Sequence, residues 1–219
     1  MKPGARLASA VDILDQIVNR HRPAAQALSD WGKSNRFAGS GDRAAIGNLV
    51  YDALRRRLSL AAQMDDDRPR ALIVAAAPRA FAMAPDDVGD LADGSRYCLS
   101  PLTDDERANL ARPVPSDAPA NVRGDYPEWL DASMSRTFAS EAAAEGAALS
   151  TRAPVDLRVN ALKAERSQVL KALTKSGAHE GPHTPYCVRI DPPRGPGRTP
   201  NVEAEAAHGR GWFEVQDAG

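Results

Sequence analysis

His179, His183 and Cys187 stand four and four residues apart, and His208 follows them. Ring nitrogens and a thiolate are zinc ligands, so this spacing is the first place to look for chemistry. On a helix the three would share one face. Gly181, Pro182 and Pro185 exclude a helix here, and exposed loop residues are the better account. A second candidate, GSGDRA at 39–44, matches G-x-G-x-x-A, the glycine turn that passes beneath a pyrophosphate. That turn must follow an apolar strand, and the preceding WGKSNRF is not one, so a loop and helix cap fit better. RGPGRTP lacks the Gly-Lys-Ser/Thr ending of a phosphate loop, and no G-x-S-x-G context holds a serine nucleophile. No catalytic, cofactor-binding or metal-ligating set is assigned from these residues.

The densest basic run, LRRRL at 54–58, suits a polyanion. Residues of one continuous helix lie about 100° apart, so three successive arginines splay over about 200° and cannot form one patch. On that helix Arg57 points into the apolar side and must snorkel or pair, while Arg55 and Arg56 are free to meet phosphate. Cations at a helix end also favour the dipole without any ligand, and this alternative stays open.

The elements that would position these residues follow from periodicity. Leu7, Val11, Leu14 and Val18 make residues 5–20 an amphipathic helix. A second helix runs from Pro23 to about Gly32, and a third follows Gly41 with Asp42 as its N-cap. Asp67 and Pro69 start another that Pro78 ends, and Thr103 with Glu106 occupies capping-box positions. Residues 111–125 read as a loop, and YPEWLDASM restarts a helix, with an Ala/Glu-rich segment to about Leu149. After Pro154 the pattern changes to α/β order: VDLRVN alternates as a strand does, and KAERSQVLKALTKSG is a helix closed by Gly177. YCVRI and GWFEVQ are further strands. In the last of them Phe213 and Val215 should pack on the 165–175 helix, with Trp212 opposite and more exposed and 217–219 frayed.

Composition narrows the class. The chain has 219 residues, 42% hydrophobic, 26% charged and only 5% aromatic, as ordinary alanine-rich helical proteins do. No apolar run approaches the roughly 18 residues of a membrane span, and two cysteines without CxxC spacing make no disulfide framework. A cytoplasmic location and no membrane partner are expected. The net charge of −1 conceals a gradient. Residues 1–70 carry 12 Lys+Arg against 8 Asp+Glu, residues 71–150 carry 6 against 13, and residues 151–219 carry 10 against 8. Basic ends around an acidic middle fit an anionic partner, although solvated helix faces produce the same counts.

Several stretches together resemble one family. GDRAAIGNLVYDALRRR resembles the D-R…L-V-Y-G-x-L-R-R helix in the NusB-like domain of bacterial rRNA cytosine-5 methyltransferases, the Fmu/Sun branch of the Nop/Sun family. Asp52 replaces the glycine common after LVY. YPEWL is similar to the family's hydrophobic-P-x-W-L element, and APVDLRVNALKAERSQVLKAL to the P-hydrophobic-x-L-R-x-N-x-L-K start of its α/β subdomain. GWFEVQDAG is similar to G-x-F-x-V-Q-D-x-x-S, which in the family leads into a Rossmann-type domain.

The resemblance implies an α+β chain in three parts. These are a mostly helical NusB-like RNA-binding domain (1–125), a connecting helical segment (126–150) and an incomplete α/β, RRM-like subdomain (151–219). The catalytic Rossmann domain would be missing. It implies the RNA-recognition part of an S-adenosylmethionine-dependent 16S rRNA (cytosine-C5) methyltransferase. The cofactor would belong to the full-length parent and none to this chain. Cys98 and Cys187 match neither the Pro-Cys nor the Thr-Cys context of the family's catalytic thiols, so the chain alone should be inactive. The partners implied are rRNA and the missing C-terminal methyltransferase domain. Candidate RNA contacts are Lys33, Arg36, Arg43, Arg55 and Arg56 in the helical part, and Arg158, Asn160 and Lys163 in LRVNALK. Arg158 and Asn160 could equally hold the strand's geometry. The alternative is a stand-alone NusB-like module that binds RNA or protein without catalysis.

Overall fold

The computed structural model describes residues 1–193 and 195–218. They form a mostly helical α+β chain of two compact units, 1–151 with 195–197, and 152–193 with 198–218.

The first unit holds α1 (Pro3–Val18), α2 (Ala24–Ser34), α3 (Ser40–Arg55), α4 (Arg57–Met64) and α5 (Pro69–Phe81). It continues through α6 (Pro85–Leu91), α7 (Asp104–Leu110), α8 (Ala120–Arg123), α9 (Asp131–Phe138) and α10 (Ala142–Leu149). The stripe expected on α1 is buried through Leu7, Ala10, Ile13 and Leu14, and α3 meets it with Ile46, Leu49, Val50 and Ala53. At the centre lies α5, where every residue from Ala71 to Ala77 is buried. A helix apolar on all sides has to be surrounded, and α1, α3, α4, α6 and α7 surround it.

Several boundaries differ from the sequence expectation. The α3 N-cap is Gly39, and Asp42 sits one turn inside, where its carboxylate accepts the Gly39 N–H at 3.1 Å. The N-cap of α5 is Arg68 rather than Asp67, its N–H donated to Asp66. Pro78 does not end α5, which runs on to Phe81 and stops at Ala82 in the left-handed conformation. Proline removes one hydrogen bond, but burial of Ala77 and Ala80 on the same helix favours keeping the last turn. The expected loop at 111–125 contains α8. The Thr103–Glu106 capping box forms as read, with both reciprocal bonds in place.

Residues 126–149 pack within the same unit. Gly146 of α10 lies against the Gly124 carbonyl and the Tyr126 ring, so closely that a Cβ there would sit 2.6 Å from that carbonyl oxygen. Tyr126 is buried and donates its hydroxyl to Asp131.

The second unit has β1 (Val155–Val159), α11 (Arg166–Ala172), β2 (His179–Glu180), β3 (Cys187–Ile190), α12 (Ala206–Gly209) and β4 (Phe213–Val215). Sheet order is β2-β3-β1-β4, and every pairing is antiparallel. The α/β order read from the sequence thus folds into an antiparallel four-stranded sheet, in keeping with the α+β class expected. Alternation places Leu157, Val159, Val188, Ile190 and Phe213 against Val169 and Leu173. Asp156 and Arg189 are directly paired across β1 and β3, on the opposite face. Gly177 closes the α11 segment at φ +72°, as expected of a C-terminal glycine.

The end of the chain departs from expectation in two respects. Phe213 is fully buried with Val169 and Leu173, but Val215 is 49% exposed and Trp212 is only partly so. Trp212 precedes the three-residue strand, so strand alternation does not govern it. Gly211, at φ +71°, turns the chain, and the indole packs at the core's edge beneath the Arg210 guanidinium. Asp217 and Ala218 follow without regular structure, the Ala218 N–H donated to Asp156, and Gly219 lies outside the described residues.

Candidate nucleic-acid interface

The expected cations fall into three places. Lys33, Arg36 and Arg43 share the corner between α2 and α3, all exposed. Gly32 leaves room for the Arg43 side chain, which lies against it and donates Nε to the Ala38 carbonyl at 3.1 Å. That bond holds Arg43 on the corner beside Lys33, whose own partner is Asp30 at 3.5 Å. Arg55 lies twelve residues beyond Arg43 on the same helix, about 18 Å away at 1.5 Å per residue. It stacks on Tyr51 and pairs with Asp52 at 3.2 Å, leaving a third or so of its side chain to solvent.

Arg56 and Arg57 exchange the roles that the sequence suggested. The helix is not continuous through the basic run, because Arg56 has φ −118° and ψ 28° and separates α3 from α4. The break shifts the helical phase. Arg56 turns inward to Asp125, with Nε 3.9 Å from a carboxylate whose side chain is 2% exposed. Arg57 turns outward to the exposed Asp67. Asp125 also accepts the Ser59 N–H at 2.8 Å and the Ser59 hydroxyl at 2.6 Å. Burial raises its pKa against these bonds and the Arg56 charge, which lower it. Arg56 therefore serves a buried cluster. Arg56→Ala is expected to destabilise by about 1–3 kcal/mol, the cost of leaving a buried polar group without its partner. Arg57→Ala should stay within about 0.5 kcal/mol, as exposed substitutions do. Urea unfolding of the two variants checks this, and a larger loss from Arg57 would contradict the inward placement of Arg56.

In the sheet unit Arg158 is exposed on β1 and lines a hollow of about 230 Å³ with Tyr186 and Gln216. Asn160 holds the turn after β1, donating to the Gly211 carbonyl and accepting the Leu162 N–H. Lys163 is exposed above Gly211, where a Cβ would collide with its ammonium. Geometry thus leaves Lys33, Arg36, Arg43, Arg55, Arg158 and Lys163 available to phosphate, whereas Arg56 and Asn160 act on the fold.

The other candidate chemistry is dispersed. His179 contacts Asp191 at 3.1 Å, His208 lies by Glu214 and the Phe213 ring, and Cys187 is buried, its thiol pKa raised by desolvation. Among the described residues no three metal-ligating side chains converge. S-adenosylmethionine, which the family resemblance implies for a full-length parent, has no cradle in the described residues. The one glycine turn that leads into a helix N-terminus, at Gly39, already receives the Asp42 carboxylate, and an antiparallel sheet has no crevice at parallel strand ends. No step is derived through that cofactor. Among the described residues no helix is long and apolar enough to cross a membrane.

Residues that the sequence reading missed are the exposed aromatics Phe37 and Tyr97. Their one signal was local, an aromatic beside an arginine in both RF and RY, and scattered apolar residues on a surface are ordinary.

Comparison with known proteins bears on the whole. The profile of the RsmF/B-like methyltransferase ferredoxin-like domain matches residues 126–195. A crystal structure of PH0851 superposes on all of this chain with a TM-score of 0.53 at 14% identity, and shows a shared fold. The chain spans 54% of that protein's length. No curated protein matches it in sequence. Residues 126–195 are therefore similar to the ferredoxin-like domain of the RsmF/B-like methyltransferases, and the chain as a whole shares its fold with part of a longer protein.

Proposed function

We propose that this chain is the RNA-recognition part of an S-adenosylmethionine-dependent 16S rRNA (cytosine-C5) methyltransferase, acting with rRNA and a methyltransferase domain in the cytoplasm. The observation that carries the reading is the family match over residues 126–195. The exposed cations support it. A-form RNA hides its base edges, so a helical domain recognises it through phosphates and shape. Lys33, Arg36 and Arg43 on one corner supply such contacts in the NusB-like part. Arg158 and Lys163 supply them in the sheet unit.

The chain is expected to bind 16S rRNA fragments with an affinity that falls as salt rises, by a log–log slope of about −0.7 to −0.9 per phosphate contacted. Replacing Lys33 and Arg36 together by alanine should flatten the slope by about 1.4–1.8, since two phosphate contacts are lost. Fluorescence anisotropy across a salt series measures both, with 23S fragments as competitors. A slope unchanged in the double variant would remove the α2–α3 corner from the interface. Equal competition by 23S fragments would remove the 16S preference.

A further inference from the structure

One face of the helical unit carries a cleft of about 800 Å³ that the phosphate contacts do not use. Its floor is α1, through Ala5, Ala8 and Ser9, and Trp31 of α2 forms part of one wall. Phe37, in the α2–α3 turn, and Tyr97, in the loop after α6, also line it. Their side chains are far from buried, at 73% and 71% exposure. Singly such rings would be ordinary, but here both line one concavity with a few polar groups, which is the usual make-up of a ligand site.

The Tyr97 loop is held in place. Gly94 N–H is donated to the Leu99 carbonyl, Cys98 N–H to the Ser95 carbonyl, and Ser95 N–H to Asp93. Leu99 is anchored in the core, and Gly4 of α1 lies so close to Cys98 that a Cβ there would be 2.9 Å from its sulfur. Tyr97 itself has φ +72°, a left-handed conformation that bulky residues rarely adopt. The loop therefore tolerates backbone strain while presenting an aromatic ring to solvent, and strain of this kind concentrates where a residue contacts a ligand.

Charge decides what kind of occupant fits. The Arg96 guanidinium stands 4.8 Å from the Tyr97 ring centroid, Lys2 lines the same cleft, and Arg36 adjoins Phe37 in the chain. Asp12 is the carboxylate of the lining and offers an acceptor to an exocyclic amine. Flat rings flanked by cations match a base and its phosphate better than an apolar side chain, because any base can stack while the phosphates meet Lys or Arg. We propose that this cleft binds an unstacked base of single-stranded RNA, stacked on Phe37 or Tyr97, with the adjoining phosphates on Lys2 and Arg96. The proposal rests on the RNA reading above and adds a site for unpaired nucleotides to contacts with phosphates of structured RNA.

The test uses the full chain and two probes, fluorescein-labelled hexacytidylate and a fully paired 16S rRNA stem. Phe37→Ala and Tyr97→Ala are each expected to weaken hexacytidylate binding about tenfold, within the range for losing one stacking ring, and the stem by less than twofold. Trp31 fluorescence should change when hexacytidylate binds to the parent. Both rings are exposed, so unchanged thermal melting of the variants shows that the fold is retained. Unchanged hexacytidylate affinity in the double variant overturns the proposal, as does an equal loss on both probes. A parent that binds the stem but not hexacytidylate overturns the cleft and leaves the RNA reading standing. A parent that binds neither overturns both.

Discussion

Phe213→Ala is expected to cost the sheet unit about 3–5 kcal/mol, the range for truncating a buried phenylalanine. The ring is fully buried and is the largest side chain in the cluster with Leu157, Val169, Leu173 and Val188. Truncation removes its transfer free energy and leaves a cavity between β4 and α11 that the short strand can only partly close. A unit of this size holds about 3–10 kcal/mol in total at the usual stability per residue, so the variant forfeits much of its margin. Hydrogen exchange reads this directly. In the parent, the Val159 amide bonded to Tyr186 and the Gln216 amide bonded to Asp156 should be well protected. In the variant both should exchange orders of magnitude faster, because about 1.4 kcal/mol corresponds to each tenfold change in the opening equilibrium. Val215→Ala, at a half-exposed position on the same strand, should cost less than about 1 kcal/mol. Equal protection in parent and Phe213→Ala would show that β4 is not held by its phenylalanine.

The second large effect is expected at the opposite face of the sheet. Arg189 donates Nε and a terminal nitrogen to the two Asp156 carboxylate oxygens at 2.6 and 2.8 Å, a bidentate pair across β1 and β3. The Asp156 side chain is only 5% exposed. Removing one member of such a pair strands the other, at a cost of about 3–5 kcal/mol. Arg189 retains some solvent, so Asp156→Ala should fall near about 3 kcal/mol at neutral pH.

The pH dependence carries a definite sign. The Arg189 hydrogen bonds, partly opposed by burial, hold the Asp156 carboxyl below its ordinary value of 3.8. A carboxyl depressed in the folded state contributes stability that is present above pH 3.8 and lost as pH falls through the lower folded value. The parent should therefore lose urea resistance in the sheet unit below that pH, and the gap between parent and Asp156→Ala should narrow there. A gap constant from neutral pH to pH 3 would mean that the pair contributes no linked stability.

Much of the architecture was legible in the residues. The α1 stripe, the Thr103–Glu106 capping box, the strand at 155–159 and the glycine stop at 177 all form where the sequence placed them. These features depend on side chains within one or two turns of each other. Helix period, strand alternation and cap chemistry act over that range and survive whatever tertiary structure surrounds them. The cations of the α2–α3 corner were equally readable as exposed residues, because a charged side chain without a buried partner stays in water.

What the residues could not reveal depends on positions far apart in the chain. The exchange of Arg56 and Arg57 follows from a single non-helical residue, whose inward side chain meets Asp125, a residue 66 positions beyond the Ser59 that shares its carboxylate. No periodicity reports such a partner. The aromatic cleft likewise needs α1, the α2–α3 turn and the loop after α6 brought together, and each contributes only one or two unremarkable residues. Strand direction in the sheet was undetermined for the same reason. Alternation specifies which side chains share a face, but only the return path of the chain between β1 and β3 makes the pairing antiparallel. Local chemistry determined the elements, whereas long-range packing decided which of their charged and aromatic side chains remained free to bind.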